Sequence, residues 1–201
     1  MSNLIRIEMN IPRIVNELKA GNLVIAPTDT VYGILADATN PAAVEKVYQA
    51  KKRSRSKPLL LIVSDKKMLL DYVDELSSVE ENLIDSYMPG KLTLLLKKNQ
   101  KVLSGVTNNE YVGIRIPDNT DLRTIIEQIG RPLVSTSANL SDNIVATNPE
   151  LLEPELLAHV AYVENAGTIL SEPSSLVKIV DGEVVVLRDG EVARQIADLS
   201  K

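Results

Sequence analysis

The sequence predicts an α/β protein: a twisted mixed β-sheet with helices packed on it. Two observations carry this. Short apolar runs bounded by breakers recur along the chain, with amphipathic segments of helical spacing between many of them. The last two runs are separated by Asp181-Gly182, close enough for a hairpin, so antiparallel neighbours join a sheet whose other strands need crossover connections.

The strand-like runs are Asn22 to Ala26, Leu59 to Val63, Leu92 to Leu96, Val112 to Ile116, Leu133 to Ser135, Leu176 to Val180 and Val184 to Leu187. The clearest helix starts at Asn40, a good N-cap, with Pro41 in the first helical position and Val44, Val47 and Tyr48 as its apolar stripe. A second opens on Ser78 and Glu81 as a capping box, buries Leu83, Ile84 and Tyr87, and stops at Pro89-Gly90. A third runs from Thr120 to Ile129, with Leu122, Ile125, Ile126 and Ile129 on one face and Gly130 as its stop. Glu191 to Leu199 forms a final helix.

Length and composition bound the function. At about 150 residues per domain, 201 residues read as a single domain over 1–201, since no repeat or low-complexity stretch breaks the chain. The absence of cysteine excludes thiol nucleophiles, iron–sulfur clusters and cysteine-ligated zinc, and the lone His159 excludes a two-histidine metal site. No protein-held metal is expected. The longest apolar run, Leu59 to Val63, is too short for a bilayer, and Met1 to Asn10 carries Arg6 and Glu8 rather than a leader's apolar block. A cytoplasmic setting away from any membrane is expected. A net charge of −5 argues against general nucleic-acid coating but permits a local basic patch.

Such a patch exists. Lys51, Lys52, Arg53, Arg55 and Lys57 place five basic residues in seven positions between a helix end and a buried strand. They either complement the helix dipole and face water, or they hold an anion, a polyphosphate above all, in the kind of crevice that α/β proteins form at strand ends. Three further segments are polar at strand ends: Pro27 to Gly33, Ser135 to Asn139, and Arg115 between Ile114 and Ile116. By strand alternation Arg115 points away from both isoleucines, into solvent or onto an anion. No glycine-rich phosphate loop is present, and Ser137 has no histidine partner that would make it a serine-hydrolase nucleophile.

These segments together resemble the YrdC-like family of threonylcarbamoyl-adenylate synthases, in its short, single-domain form. The likeness runs from about Asn22 to Gly190. It rests on Pro27 to Gly33, on Lys51-Lys52-Arg53 followed by Lys57-Pro58-Leu59, on Pro89 to Thr93, Val112 to Pro117 and Ser137-Ala138-Asn139, and on looser matches at Ser174 to Val177 and Leu187 to Gly190. The chain departs from the family pattern at Leu35, Ser54, Ile62, Tyr111 and Asp189, bulky or altered residues expected to cluster around the pocket.

The resemblance implies a YrdC-like fold and a nucleotidyltransferase. This enzyme would join L-threonine, bicarbonate and ATP into threonylcarbamoyl-AMP with release of pyrophosphate, for modification of a tRNA adenosine by partner proteins. It implies that Lys51, Arg53, Lys57, Ser137, Asn139 and Arg188 hold ATP, that Lys51 and Arg53 supply the catalytic charge, and that Thr30, Arg115, Ser135 and Ser174 hold threonine. Mg²⁺ would arrive with ATP, coordinated by phosphates and water. The alternative is a non-catalytic nucleotide- or RNA-binding paralogue on the same fold, and RNA contact fits either reading.

Overall fold

The architecture comes from a computed structural model that describes residues 9–199. The reading of Met1 to Asn10 as no leader falls mostly on Met1 to Glu8, which lie outside the described residues. The strands are β1 (Val24–Pro27), β2 (Tyr32–Asp37), β3 (Leu60–Ile62), β4 (Leu92–Lys97), β5 (Tyr111–Arg115), β6 (Leu133–Ser137), β7 (Tyr162–Val163), β8 (Ser175–Val180) and β9 (Glu183–Arg188). They form one sheet in the order β7-β1-β2-β6-β3-β5-β4-β8-β9. Three pairs are parallel (β1 with β7, β3 with β5, β4 with β8) and the others antiparallel, so the sheet is mixed as expected. The hairpin of β8 and β9 turns at Asp181-Gly182, both at positive φ.

The helices are α1 (Ile11–Lys19), α2 (Pro41–Lys51), α3 (Lys66–Leu70), α4 (Ser78–Tyr87), α5 (Thr120–Ile129), α6 (Pro154–Leu157) and α7 (Glu191–Leu199). Asn40 caps α2 by accepting from the amides of Ala42 and Ala43, and Gly130 ends α5 in the left-handed region at φ 71. Removing the first of these caps by Asn40→Ala is expected to cost about 1 kcal/mol, measurable as a shift in urea midpoint without a change in slope. The capping box of α4 falls one residue earlier than expected. Ser77 Oγ accepts from the Glu80 amide, and the Glu80 carboxylate accepts from the Ser77 amide. Two overlapping Ser-x-x-Glu frames compete here, and the earlier one puts both Glu80 and Glu81 in the first turn, where the helix dipole favours negative charge.

Five elements escaped the sequence reading: α1, β2 and the short α3, α6 and β7. Helix α1 buries Ile14, Val15 and Leu18, and strand β2 is buried at all six positions although its Gly33 and Asp37 read as turn residues. Asp37 is tolerated there because Arg131 pairs with it at 2.7 Å and Thr39 donates to it from backbone and hydroxyl.

The register fixes what faces the site. Residues opposite one another share a face, and every second residue along a strand returns to it. Gly33 stands opposite Ser137 and Leu35 opposite Ser135. Leu60 and Ile62 stand opposite Ser135 and Leu133 on one side, and opposite Gly113 and Arg115 on the other. One face of the central sheet thus carries two kinds of floor. Its apolar part, with Leu35, Ile62 and Leu133, is sealed beneath α1 and α5. The part with Gly33, Leu60, Arg115, Ser135 and Ser137 is left uncovered by those helices. On the opposite face Ile34, Ala36, Leu61, Ile114 and Val134 pack in the larger core with α2, α4 and α6.

Candidate functional site

The uncovered floor opens into a cavity of about 290 Å³. Its walls come from the turn between β1 and β2, the basic turn after α2, and the chain leading into β8, with Arg188 from the end of β9. Gly33 keeps the floor bare: a Cβ there would lie 3.2 Å from both Ser135 Oγ and Thr28 Cγ2. No carboxylate is among the residues lining the cavity, whereas three arginines are. A chain of net charge −5 therefore gathers local positive charge in one concave place.

The arginines are held in two ways. Arg53 gives Nε to the Lys57 carbonyl and Nη2 to the Pro58 carbonyl, both at 2.9 Å. Arg188 gives Nε to the Ser174 carbonyl at 2.8 Å and Nη2 to Ser174 Oγ at 3.1 Å. Each guanidinium is pinned through two nitrogens, and none of the described residues accepts from Nη1 of either. Arg115 is held differently. It is 4% exposed and forms a two-pronged ion pair with Asp29, itself 7% exposed, through Nη1 at 3.3 Å and Nη2 at 3.2 Å. Of the alternatives left open by sequence, the anion is thus internal. Burial lowers the Arg115 pKa from its usual value, Asp29 works against that shift, and the charge of Arg188 adds to it. Burial also lowers Arg53 and Arg188.

Hydroxyls complete the lining. Thr28 Oγ gives its single proton to the Val31 carbonyl at 2.6 Å, so Thr30 is the donor in the 2.9 Å contact between the two hydroxyls. Ser174 Oγ lies 2.8 Å from Thr93 Oγ and accepts from Arg188. Ser135 and Ser137 rise from the floor on β6.

The residues predicted for the site divide. Thr30, Arg53, Arg115, Ser135, Ser137, Ser174 and Arg188 line the cavity together, whereas Lys51, Lys57 and Asn139 do not. The basic cluster as a whole is mostly neutralised by remote partners. Lys52 pairs with Glu155 at 2.5 Å, Arg55 with Glu45, and Lys57 with Asp142 at 2.6 Å, whose carboxyl falls below its usual pKa through that hydrogen bond and charge. Nor do the departures from the family pattern cluster around the cavity. Leu35 and Ile62 are core beneath α1 and α5, Tyr111 lies under the Lys178 ammonium, Ser54 bonds Ser56, and Asp189 pairs with Arg194. Sequence reasoning missed Thr28, Asp29 and Gly33 as individuals although it marked their segment; Asp29 in particular is identified only by its distant partner.

Lys51 is 1% exposed. Burial pushes its pKa down to about 7, the charge of Arg53 pushes the same way, and Glu153 opposes them. Between about 7 and the ordinary value of 10.5 the unfolded chain carries a proton that the folded chain has released, so this group's contribution to stability rises with pH across that window. The stability difference between the wild type and Lys51→Met is expected to move in the wild type's favour from about pH 7 to about pH 9, read by urea denaturation.

Among the described residues no cluster of metal-ligating side chains occurs, and no helix is long and apolar enough to cross a membrane.

Three comparisons bear on the site. The Sua5–YciO–YrdC family model, described as telomere recombination, matches residues 16–190. A putative threonylcarbamoyl-AMP synthase of Methanocaldococcus jannaschii is 37% identical over 89% of this chain and 84% of its own length, and the threonylcarbamoyl-AMP synthase of Bacillus subtilis is 32% identical over 89% of this chain. The solved structure of P. abyssi Sua5 complexed with L-threonine superposes with a TM-score of 0.83 at 27% identity over 89% of this chain. This chain spans 52% of the B. subtilis protein and 53% of the P. abyssi chain.

Proposed function

Since this chain belongs to the Sua5/YciO/YrdC family, we propose that it is a nucleotidyltransferase that joins L-threonine, bicarbonate and ATP into threonylcarbamoyl-AMP with release of pyrophosphate. The observation that carries the proposal is one cavity holding three arginines and a set of hydroxyls with no carboxylate in its lining. ATP and bicarbonate are anions and threonine carries a carboxylate, and the cavity offers the nucleotide and the amino acid separate groups.

The threonine amine and bicarbonate condense to a carbamate with loss of water. A carbamate oxygen then attacks the α-phosphorus of ATP, the bond to the β-phosphate breaks, and pyrophosphate departs. The attacking oxygen is already anionic, so the step asks for alignment and for positive charge beside the leaving group rather than for a strong base. Arg53 and Arg188 supply that charge through Nη1, the nitrogen that the fold leaves unengaged in each. Two bonds per guanidinium set their direction beforehand, so little reorganisation is needed as charge develops. Ser137 faces the same region from β6.

Arg115, Thr30, Ser135 and Ser174 would receive threonine. Arg115 donates to Asp29 through Nη1 and meets Oδ1 with Nη2 in ionic contact only, so each terminal nitrogen keeps an N–H for the substrate carboxylate. Small hydroxyls suit threonine's own hydroxyl. Mg²⁺ would come with ATP, bound by phosphate and water. The product would pass in the cytoplasm to partner proteins that modify a tRNA adenosine.

Calorimetry tests the ligand assignment. Threonine should bind the folded wild type, and Ser135→Ala should weaken it by about tenfold, the loss of one hydrogen bond, while leaving ATP affinity unchanged. No threonine binding by folded wild-type protein would overturn the proposal.

A further inference from the structure

We propose that Lys51 and Glu153 form a hydrogen-bonded clamp that holds residues 137–143, the end of β6 and the turn after it, in the shape that presents Ser137 to the nucleotide. The inference rests on reading the cavity as an ATP site, and it reassigns Lys51 from ligand contact to positioning residue.

A lysine ammonium has three N–H donors, and the neutral amine that takes over above about pH 7 has two. In the fold Nζ of Lys51 donates to the carbonyls of Ser137 and Asn139, each at 2.5 Å, and to Asn139 Oδ1 at 3.2 Å. No donor remains for a phosphate, and the side chain is buried away from the cavity lining. Asn139 is equally committed. Its Oδ1 accepts from Ser137 Oγ and from Lys51, while Nδ2 donates to the carbonyls of Leu140 and Asn143, each at 2.8 Å. Both groups are spent on the turn itself.

Glu153 grips the same turn from its other polarity. Its Oε1 accepts from the Leu140 amide at 3.3 Å and from Asn143 Nδ2 at 3.1 Å. Its charge also acts on Lys51. Lys51 Nζ thus gathers oxygens that would otherwise repel one another, and the carboxylate gathers N–H groups. The backbone closes the ring, since the Lys51 carbonyl accepts from the Ser141 amide at 2.9 Å. What reaches the cavity from this assembly is Ser137, whose hydroxyl is aligned by Asn139 at 2.5 Å. Neither Lys51 nor Glu153 lines the cavity, so their influence on it passes through the turn.

Two measurements decide the matter. Amide hydrogen exchange on the wild type, Lys51→Met and Glu153→Gln should show exchange accelerated by about tenfold or more in residues 137–143 of both variants, with the central strands unchanged. Glu153→Gln keeps an acceptor for the Leu140 amide and removes only the charge, so it answers the question even if Lys51→Met does not fold. Unchanged exchange in a folded variant would overturn the clamp.

Steady-state kinetics then separates positioning from contact. Lys51→Met should raise KM for ATP by about tenfold or more and leave KM for threonine in place. Adding Ser137→Ala to Lys51→Met should change it little further, because both act through one turn. Multiplied losses in the double variant would mark Lys51 as an independent phosphate contact and overturn the proposal. If the wild type neither binds nor turns over ATP, the nucleotide reading fails, and exchange still decides whether Lys51 and Glu153 hold the turn.

Discussion

Arg115→Met is expected to lower folding stability by about 3 to 5 kcal/mol, the usual cost of stranding one partner of a buried ion pair. Asp29 would be left 7% exposed with no cation. The remaining contacts of that carboxylate are modest. Oδ2 also accepts from the Asp118 amide at 3.1 Å, and Oδ1 has no hydrogen bond besides its ionic contact with Arg115. Removing both charges, as Arg115→Met with Asp29→Asn, should restore much of the loss, because the cost lies in the unpaired carboxylate rather than in the missing guanidinium. Denaturant titration of the wild type, both single variants and the double variant measures this directly. A double variant as unstable as Arg115→Met alone would show that Arg115 matters for packing and not for charge.

Arg53→Ala is expected to cut threonine-dependent pyrophosphate release by about 100-fold to 1,000-fold, the range for deleting one preorganised donor from a developing anion. Stability should change far less. Arg53 lies at the surface end of the cavity, and its two backbone bonds tie down a turn that Lys57 and Asp142 also brace. Lys57→Ala removes the brace but no cavity contact, so its effect on rate should be small beside that of Arg53→Ala. Equal losses in the two variants would mean that the turn's shape, and not the Arg53 charge, carries the rate.

Much of the fold was legible because its signals are local. Asn40-Pro41, the stripe of Leu122, Ile125, Ile126 and Ile129 before Gly130, and the Asp181-Gly182 hairpin each declare an element within a few residues. Strand β2 was illegible for the opposite reason. Tyr32 to Asp37 contains a glycine required by a crowded floor and an aspartate neutralised by Arg131, and both causes are nearly 100 residues away. The same division runs through the site. Residue types at strand ends mark Thr30, Arg115, Ser135, Ser137 and Ser174, since strand alternation dictates which side chains reach the open face. The basic cluster misleads, because acids occupy Lys52, Arg55 and Lys57: Glu155 on α6, Glu45 on α2 itself, and Asp142 in the loop after β6. Lys51 and Arg53 are two positions apart in sequence. One is turned into the fold to hold a neighbouring turn, and the other faces the cavity.

The central claim is that this cavity brings threonine, carbonate carbon and the α-phosphate together for reaction. Mass spectrometry of the wild type incubated with ATP, Mg²⁺, L-threonine and ¹³C-bicarbonate tests it most directly. The account predicts a threonylcarbamoyl-AMP ion carrying one ¹³C, accompanied by pyrophosphate and lost when either threonine or bicarbonate is omitted. Folded protein that binds both substrates yet forms no labelled adenylate, or releases pyrophosphate regardless of threonine, would contradict it.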